Sequence, residues 1–125
     1  MKKIIATEQA PQAIGPYSQA CEAGGVIYIS GQIPINPING ELPQGIAEQT
    51  RQAFENVIAI LAAGRCTVEN IVKVTVYLKD MADFAEMNRV YAGVFTGDFP
   101  ARAAVEVSSL PRNALIELDV IAHHE

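Results

Sequence analysis

Tryptophan is absent from this 125-residue sequence, and the remaining aromatics are only four Phe and four Tyr. Yet 50% of the residues are hydrophobic and 18% charged. The apolar content is therefore mostly aliphatic, and it is high for so short a chain. The length predicts one domain spanning residues 1–125. A single domain of this size buries too small a share of its surface to hide so much apolar area alone. The excess predicts association with identical copies.

Basic stretches are also missing. Net charge is −5, and no basic run is longer than Lys2-Lys3. That counts against a nucleic-acid partner, which requires a positive face. No apolar run approaches the ~20 residues that span a bilayer, so no membrane segment is expected. Met1 leads directly into a strand-like stretch, so no secretory leader is expected either. Cys21 and Cys66 are far apart in the chain and fit no metal or disulfide spacing; they read as free thiols of a cytoplasmic protein. The only histidines, His123 and His124, are adjacent. On a strand they point to opposite faces and cannot chelate together, and a frayed tail is expected there. Ser18 and Ser30 therefore lack a histidine base, which argues against a serine nucleophile. "GGVIYISG" lacks the glycine spacing of a dinucleotide site. No metal or cofactor site is expected.

The patterns that are present predict the order β-β-β-α-β-α-β-β. Residues 2–6 read as a short strand and 10–20 as irregular. Residues 18–32 read as two strands joined at Gly24-Gly25, and 34–43 as a Pro/Asn/Gly loop. Apolar residues at helical spacing predict a helix over 46–63, stopped by Gly64. Thr67 is placed to cap a further turn. "IVKVTVYLK" (71–79) alternates, with Val72, Val74, Val76 and Leu78 assigned to the core face. Asp80 opens a second helix with an apolar stripe of Phe84, Met87, Tyr91, Val94 and Phe95. Strands over 103–107 and 114–122 follow. The architecture expected is α+β: one sheet with both helices on one face, the other face left bare for oligomerisation.

Arg102 is the anomaly in this scheme, a permanent charge in the apolar stretch "FPARAAVEV". If loop 108–113 closes an antiparallel hairpin with Val105 and Val107 facing the helices, then Arg102, Ala104 and Glu106 face away from them. Ala104 then lies opposite Glu117, with Arg102 a diagonal neighbour of that acid. This reading sets a guanidinium beside a carboxylate on the bare face. It admits either an interchain salt bridge to Glu117 or Asp119, or a ligand site.

The segments "AIGPYSQA", "ISGQIP", "ENVIAIL", "VKVTVYLKDMADFAEMNRVY", "FPARAAVEV" and "LPRNALIELDVIA" resemble the RidA (YjgF) family of reactive-intermediate deaminases, collinearly from about residue 2 to 122. The resemblance implies a chorismate-mutase-like fold and a homotrimer with its sheets packed around a central axis and clefts between subunits. It also implies hydrolysis of enamine and imine intermediates, released by pyridoxal-phosphate enzymes, to 2-oxo acids and ammonia. In that pattern Arg102 holds the substrate carboxylate and Glu117 activates the water. Tyr17, Ser30 and Gly31 line the cleft, and Asn88 has a supporting role. Where many members carry a cysteine this chain has Ala104, which retains only the backbone N–H. Two other readings stay open: a non-catalytic trimeric sensor of 2-oxo acids or amino-acid derivatives that regulates a partner, and the RNA activity described for some members.

Overall fold

A computed structural model describes all 125 residues. The elements are β1 (Lys3–Ile5), β2 (Ala20–Ala23), β3 (Val26–Gln32), α1 (Gly45–Ala63), β4 (Ile71–Leu78), α2 (Phe84–Val94), β5 (Ala101–Glu106) and β6 (Ile116–His123), in the predicted order. Short 3-10 turns precede β4, α2 and β6. Thr67 caps the first of these, accepting from the Glu69 N–H, and Asp80 caps the second, accepting from the Ala82 N–H. Gly24 and Gly25 join β2 to β3 with φ of 58° and 80°, the pair of positive values that a tight hairpin turn of this twist requires.

The six strands form one sheet in the order β1-β2-β3-β6-β4-β5. Every pairing is antiparallel except β4 with β5. Both helices cover one face. There Ala53, Phe54, Val57, Ile60 and Leu61 of α1 and Met87 and Tyr91 of α2 are buried in one cluster with Ile27, Ile29, Val74, Val76, Leu78, Ile116, Leu118 and Val120. Phe54 sits at its centre, edge-on to Tyr91 and Phe95 at centroid distances of 5.5 and 5.9 Å.

Three details differ from the sequence reading. β4 is irregular between Ile71 and Lys73, so Ile71 is buried and Val72 is exposed. Strict alternation extended one residue too far here, since an irregular residue exchanges the faces. Secondly, β5 and β6 are not a hairpin. β6 enters the middle of the sheet between β3 and β4, and β5 lies on the far side of β4 as an edge strand. The β4–α2–β5 succession is a crossover unit, which parallel strands require. Thirdly, the C-terminus is not a frayed tail. His124 donates its backbone N–H to the Gly25 carbonyl, and its ring lies 3.5 Å from Cys66 Sγ and 3.4 Å from Glu22 Oε1.

Truncation of Phe54, which is 1% exposed, tests the core assignment. Phe54→Ala is expected to cost about 3–5 kcal/mol, the usual cost of emptying a buried aromatic site. A urea melt should show a lower midpoint at an unchanged slope.

Candidate active site

The connections of β5 and β6 determine which groups can meet. Paired residues on adjacent strands share a face. Arg102, Ala104 and Glu106 pair with Val74, Val76 and Leu78, all core-facing. These three residues therefore lie on the helix side, opposite to the expectation, and Val105 is the exposed one at 43%. Glu117 pairs with Tyr77, between the buried Ile116 and Leu118, so it projects from the bare face. Arg102 and Glu117 are consequently on opposite faces of the same sheet. The diagonal neighbourhood expected from a hairpin does not exist within one chain.

Arg102 is nonetheless held in a built environment. Phe84, Asn88 and Tyr91 recur at helical spacing on one side of α2. The guanidinium carbon lies 5.4 Å from the Phe84 ring centroid and 4.8 Å from that of Tyr91. Its Nη1 donates to Asn88 Oδ1 at 2.5 Å. The charge thus rests on two π faces and an amide oxygen, and no carboxylate neutralises it: Arg102 joins none of the chain's three ion pairs. Beside it, Val107 donates its N–H to Leu78 O across the β4–β5 ladder. Alternation along the strand then turns the N–H groups of Arg102, Ala104 and Glu106 to the open edge. An exposed guanidinium and a free backbone donor at Ala104 make one half-site, suited to an anion.

The second half-site is on the bare face. Glu117 lies across Gly31 of β3: a Cβ placed at Gly31 would come within 2.2 Å of Glu117 Oε2 and 2.9 Å of its Cδ. Glycine here is a matter of space, since any side chain would occupy the volume of the acid. Glu117, Gly31 and Tyr17 line one cavity of about 390 Å³ together with Gln12, Gln32 and Arg112. Gln19 shapes the irregular segment that delivers Tyr17. Its amide donates to the Thr7 and Pro11 carbonyls at 3.0 and 2.8 Å and its oxygen accepts from the Thr7 N–H at 2.7 Å. Ser30 is adjacent but differently employed: its hydroxyl donates to Ser18 O at 2.6 Å, tying that segment to β3, and it is not part of the cavity lining.

Burial pushes the Glu117 carboxyl above its ordinary value, and the negative charge of Asp119 adds to the push. Within one chain the Arg102 guanidinium does not lie beside Glu117 to oppose that push. The sequence reading passed over Arg112, and it treated Phe84 and Tyr91 as core alone. The i, i+4, i+7 spacing of Phe84, Asn88 and Tyr91 was the signal for a cradle.

An α+β sheet with two helices on one face, carrying an unneutralised guanidinium at its edge and a half-buried acid on its bare face, defines the class. The sequence profile of the family described as Endoribonuclease L-PSP matches residues 7–124. The chain belongs to this family, the RidA (YjgF) family of the resemblance. It is 56% identical to a RutC family protein of Pyrococcus horikoshii, with 100% of both chains covered. It is 50% identical to the 2-iminobutanoate/2-iminopropanoate deaminase of Escherichia coli K12, covering 98% of each. Among solved structures, that of E. coli TdcF with bound serine matches with a TM-score of 0.96 at 41% identity, over 98% of this chain and 99% of that one.

Gly31→Ala should leave the fold intact, because the clashing atoms are the far end of a flexible side chain. A crystal structure of the variant should show the Glu117 carboxyl displaced by at least an ångström, the difference between 2.2 Å and an ordinary 3.4 Å contact.

Proposed function

We propose that the protein is a deaminase that hydrolyses reactive enamine and imine intermediates, such as 2-aminoacrylate and its imine 2-iminopropanoate, to 2-oxo acids and ammonia, and that it works as a homotrimer. The carrying observation is the division of the site: an unneutralised Arg102 on the helix face and an unpaired, half-buried Glu117 on the bare face. One chain cannot bring them to one small substrate. Two copies can, if the edge strand β5 of one meets the bare face of the next. Exposed Ile4, Tyr28 and Val105 on that face, and Tyr17 and Ile14 beside the cavity, supply apolar area for such a contact. The relatives named as deaminases at about half identity support the activity, and serine bound to TdcF supports a small amino-acid-like ligand. The free cysteines fit the cytoplasm, where such intermediates arise.

The chemistry asks for an anchor, a placed water and proton transfers. The Arg102 fork and the Ala104 N–H take the substrate carboxylate. Tyr17 and Gly31 bound the space in which the imine carbon faces Glu117, and Asn88 orients the fork. Ionised Glu117 accepts a proton from the water as its oxygen bonds to the imine carbon and the C=N π electrons move to nitrogen. Protonated Glu117 then returns that proton to the carbinolamine nitrogen. Ionised Glu117 then takes the carbinol proton and delivers it to the nitrogen, so that C=O forms as the C–N bond breaks with its electron pair on the departing ammonia, and the carboxylate is regenerated. Positioned acid–base help of this kind supplies ~10²–10⁴-fold.

The test is 2-oxo acid formation from 2-aminoacrylate generated in situ by a serine dehydratase. Wild type should accelerate it, and Glu117→Gln should lose ~10²-fold or more while keeping 2-oxobutyrate affinity. A sensor would show no acceleration and no effect of Glu117→Gln.

Co-assembly of Arg102→Ala and Glu117→Gln chains tests the shared cleft. In a randomly mixed homo-oligomer about one site in four pairs an intact Arg102 with an intact Glu117. Activity should return to that level although each parent is inactive. No recovery in mixed oligomers of three times 13.4 kDa would exclude a cleft built from two copies.

A further inference from the structure

An arginine brought beside Glu117 weakens it as a proton acceptor, because a nearby cation stabilises the ionised carboxylate. The shared cleft therefore places the anchor and the base in conflict. The bare face contains a group that offsets this. Asp119 follows Glu117 on β6 by two residues, on the same face and about 7 Å along the strand. The strand places it there, the Tyr77 hydroxyl donates to Asp119 Oδ2 at 2.8 Å, and Tyr77 is itself the direct cross-strand partner of Glu117. One aromatic side chain therefore spans both acids, beside one and bonded to the other.

We propose that Asp119 is a positioning residue of the hydrolytic site: its negative charge, partly offset by the Tyr77 hydroxyl, strengthens Glu117 as a proton acceptor against the incoming guanidinium. The upward shift of the Glu117 carboxyl, to which Asp119 contributes after burial, is consistent with this role. The Tyr77 phenol is shifted upward too, chiefly by its bond to Asp119, so it stays a donor across the working range. The other groups around Glu117 are few. Tyr17 and Arg112 line its cavity, and β3 contributes only Gly31 and Gln32. Arg112 donates to the Gly40 carbonyl and forms no ion pair with Glu117. On β4, Lys79 follows Tyr77 by two residues and donates its ammonium to Asn113 Oδ1 at 2.8 Å, and Lys73 lies one row beyond Asp119; neither forms an ion pair with either acid. Arg102 of a second copy completes the set. The inference rests on the hydrolytic reading of Glu117, but the electrostatic coupling can be measured without turnover.

The two partners of the device predict shifts of opposite sign. Asp119→Asn removes the charge and keeps the shape, so Glu117 should titrate lower. Tyr77→Phe removes the donor that partly offsets the Asp119 charge, so Glu117 should titrate higher. The direct measurement is the carboxyl ¹³C titration of Glu117, assigned by its absence in Glu117→Gln. The acid limb of kcat/KM should move with it, downward in Asp119→Asn and upward in Tyr77→Phe. The Asp119→Asn plateau should fall a few-fold, against ~10²-fold or more for loss of Glu117 itself. A merely structural role would weaken the fold or the assembly and leave both titrations where they were. Unmoved titration in both variants, or movement in the same direction, overturns the proposal. If Asp119→Asn fails to assemble, an unmoved Tyr77→Phe overturns it alone. Opposite shifts in the carboxyl titration without imine hydrolysis by wild type would uphold the coupling and retire the deaminase reading.

Discussion

The placement of one strand governs everything else in this molecule. β6 lies at the centre of the sheet, hydrogen-bonded on both sides, between β3 and β4. Its alternation is strict: Ile116, Leu118, Val120 and Ala122 are buried under the helices. A central strand cannot slip by one residue without turning that whole row outward, so its register is strongly specified. The residues between them inherit that rigidity. Glu117 and Asp119 are held on the bare face by the burial of their neighbours, and Gly31 on the adjacent strand leaves the acid its space.

The same placement separates the arginine from the acid. With β6 between β3 and β4, β5 has only one side of β4 left to pair with, and it reaches that side in parallel through α2. Its even-numbered residues then share the face of Val74 and Val76. Arg102 is set against α2 and, lacking a carboxylate there, is retained by two aromatic faces and the Asn88 oxygen. Cation–π contacts at such an exposed site contribute roughly 0.5–1 kcal/mol each. That suffices to orient the fork and leaves its charge free. An intrachain salt bridge would have left less to offer an anionic ligand.

Much of this was legible in the sequence because it is local. The order of elements follows from periodicities over 46–63, 71–79 and 114–122, and from the Gly24-Gly25 turn, all of which depend on near neighbours. The faces of β5 were misread because they depend on pairing. "SSLPRN" is short enough for a hairpin, and only the strand–helix–strand succession of 71–106 argued for a parallel crossover. Val72 was misassigned for a related reason, since a one-residue irregularity has no signature in an unbroken run of β-branched residues. For the site, residue types were readable but their grouping was not. Tyr17, Gly31 and Glu117 share one cavity, and Asn88 and Ala104 flank Arg102. Ser30 takes up a structural hydrogen bond. The expectation of a neighbouring pair Arg102–Glu117 transfers, on the proposed reading, from one chain to the contact between two.

That transfer has a chemical consequence. In an isolated chain the acid faces an open cavity and the anchor faces solvent, so neither alone binds, orients and activates. Assembly would bring them together and exclude bulk water from Glu117 at once, strengthening each electrostatic contact in the cleft. On the proposed reading the demand on such a site is modest, since a positioned water and proton transfers through one carboxylate suffice and no bond to the protein forms. A thiol at position 104 would add nothing required by those steps. The backbone N–H that alanine keeps at the edge of β5 points outward because of the ladder, whatever side chain the residue carries. On the proposed reading the minimal set is one guanidinium, one edge N–H and one carboxylate, with a second carboxylate to keep the first a useful base beside the guanidinium.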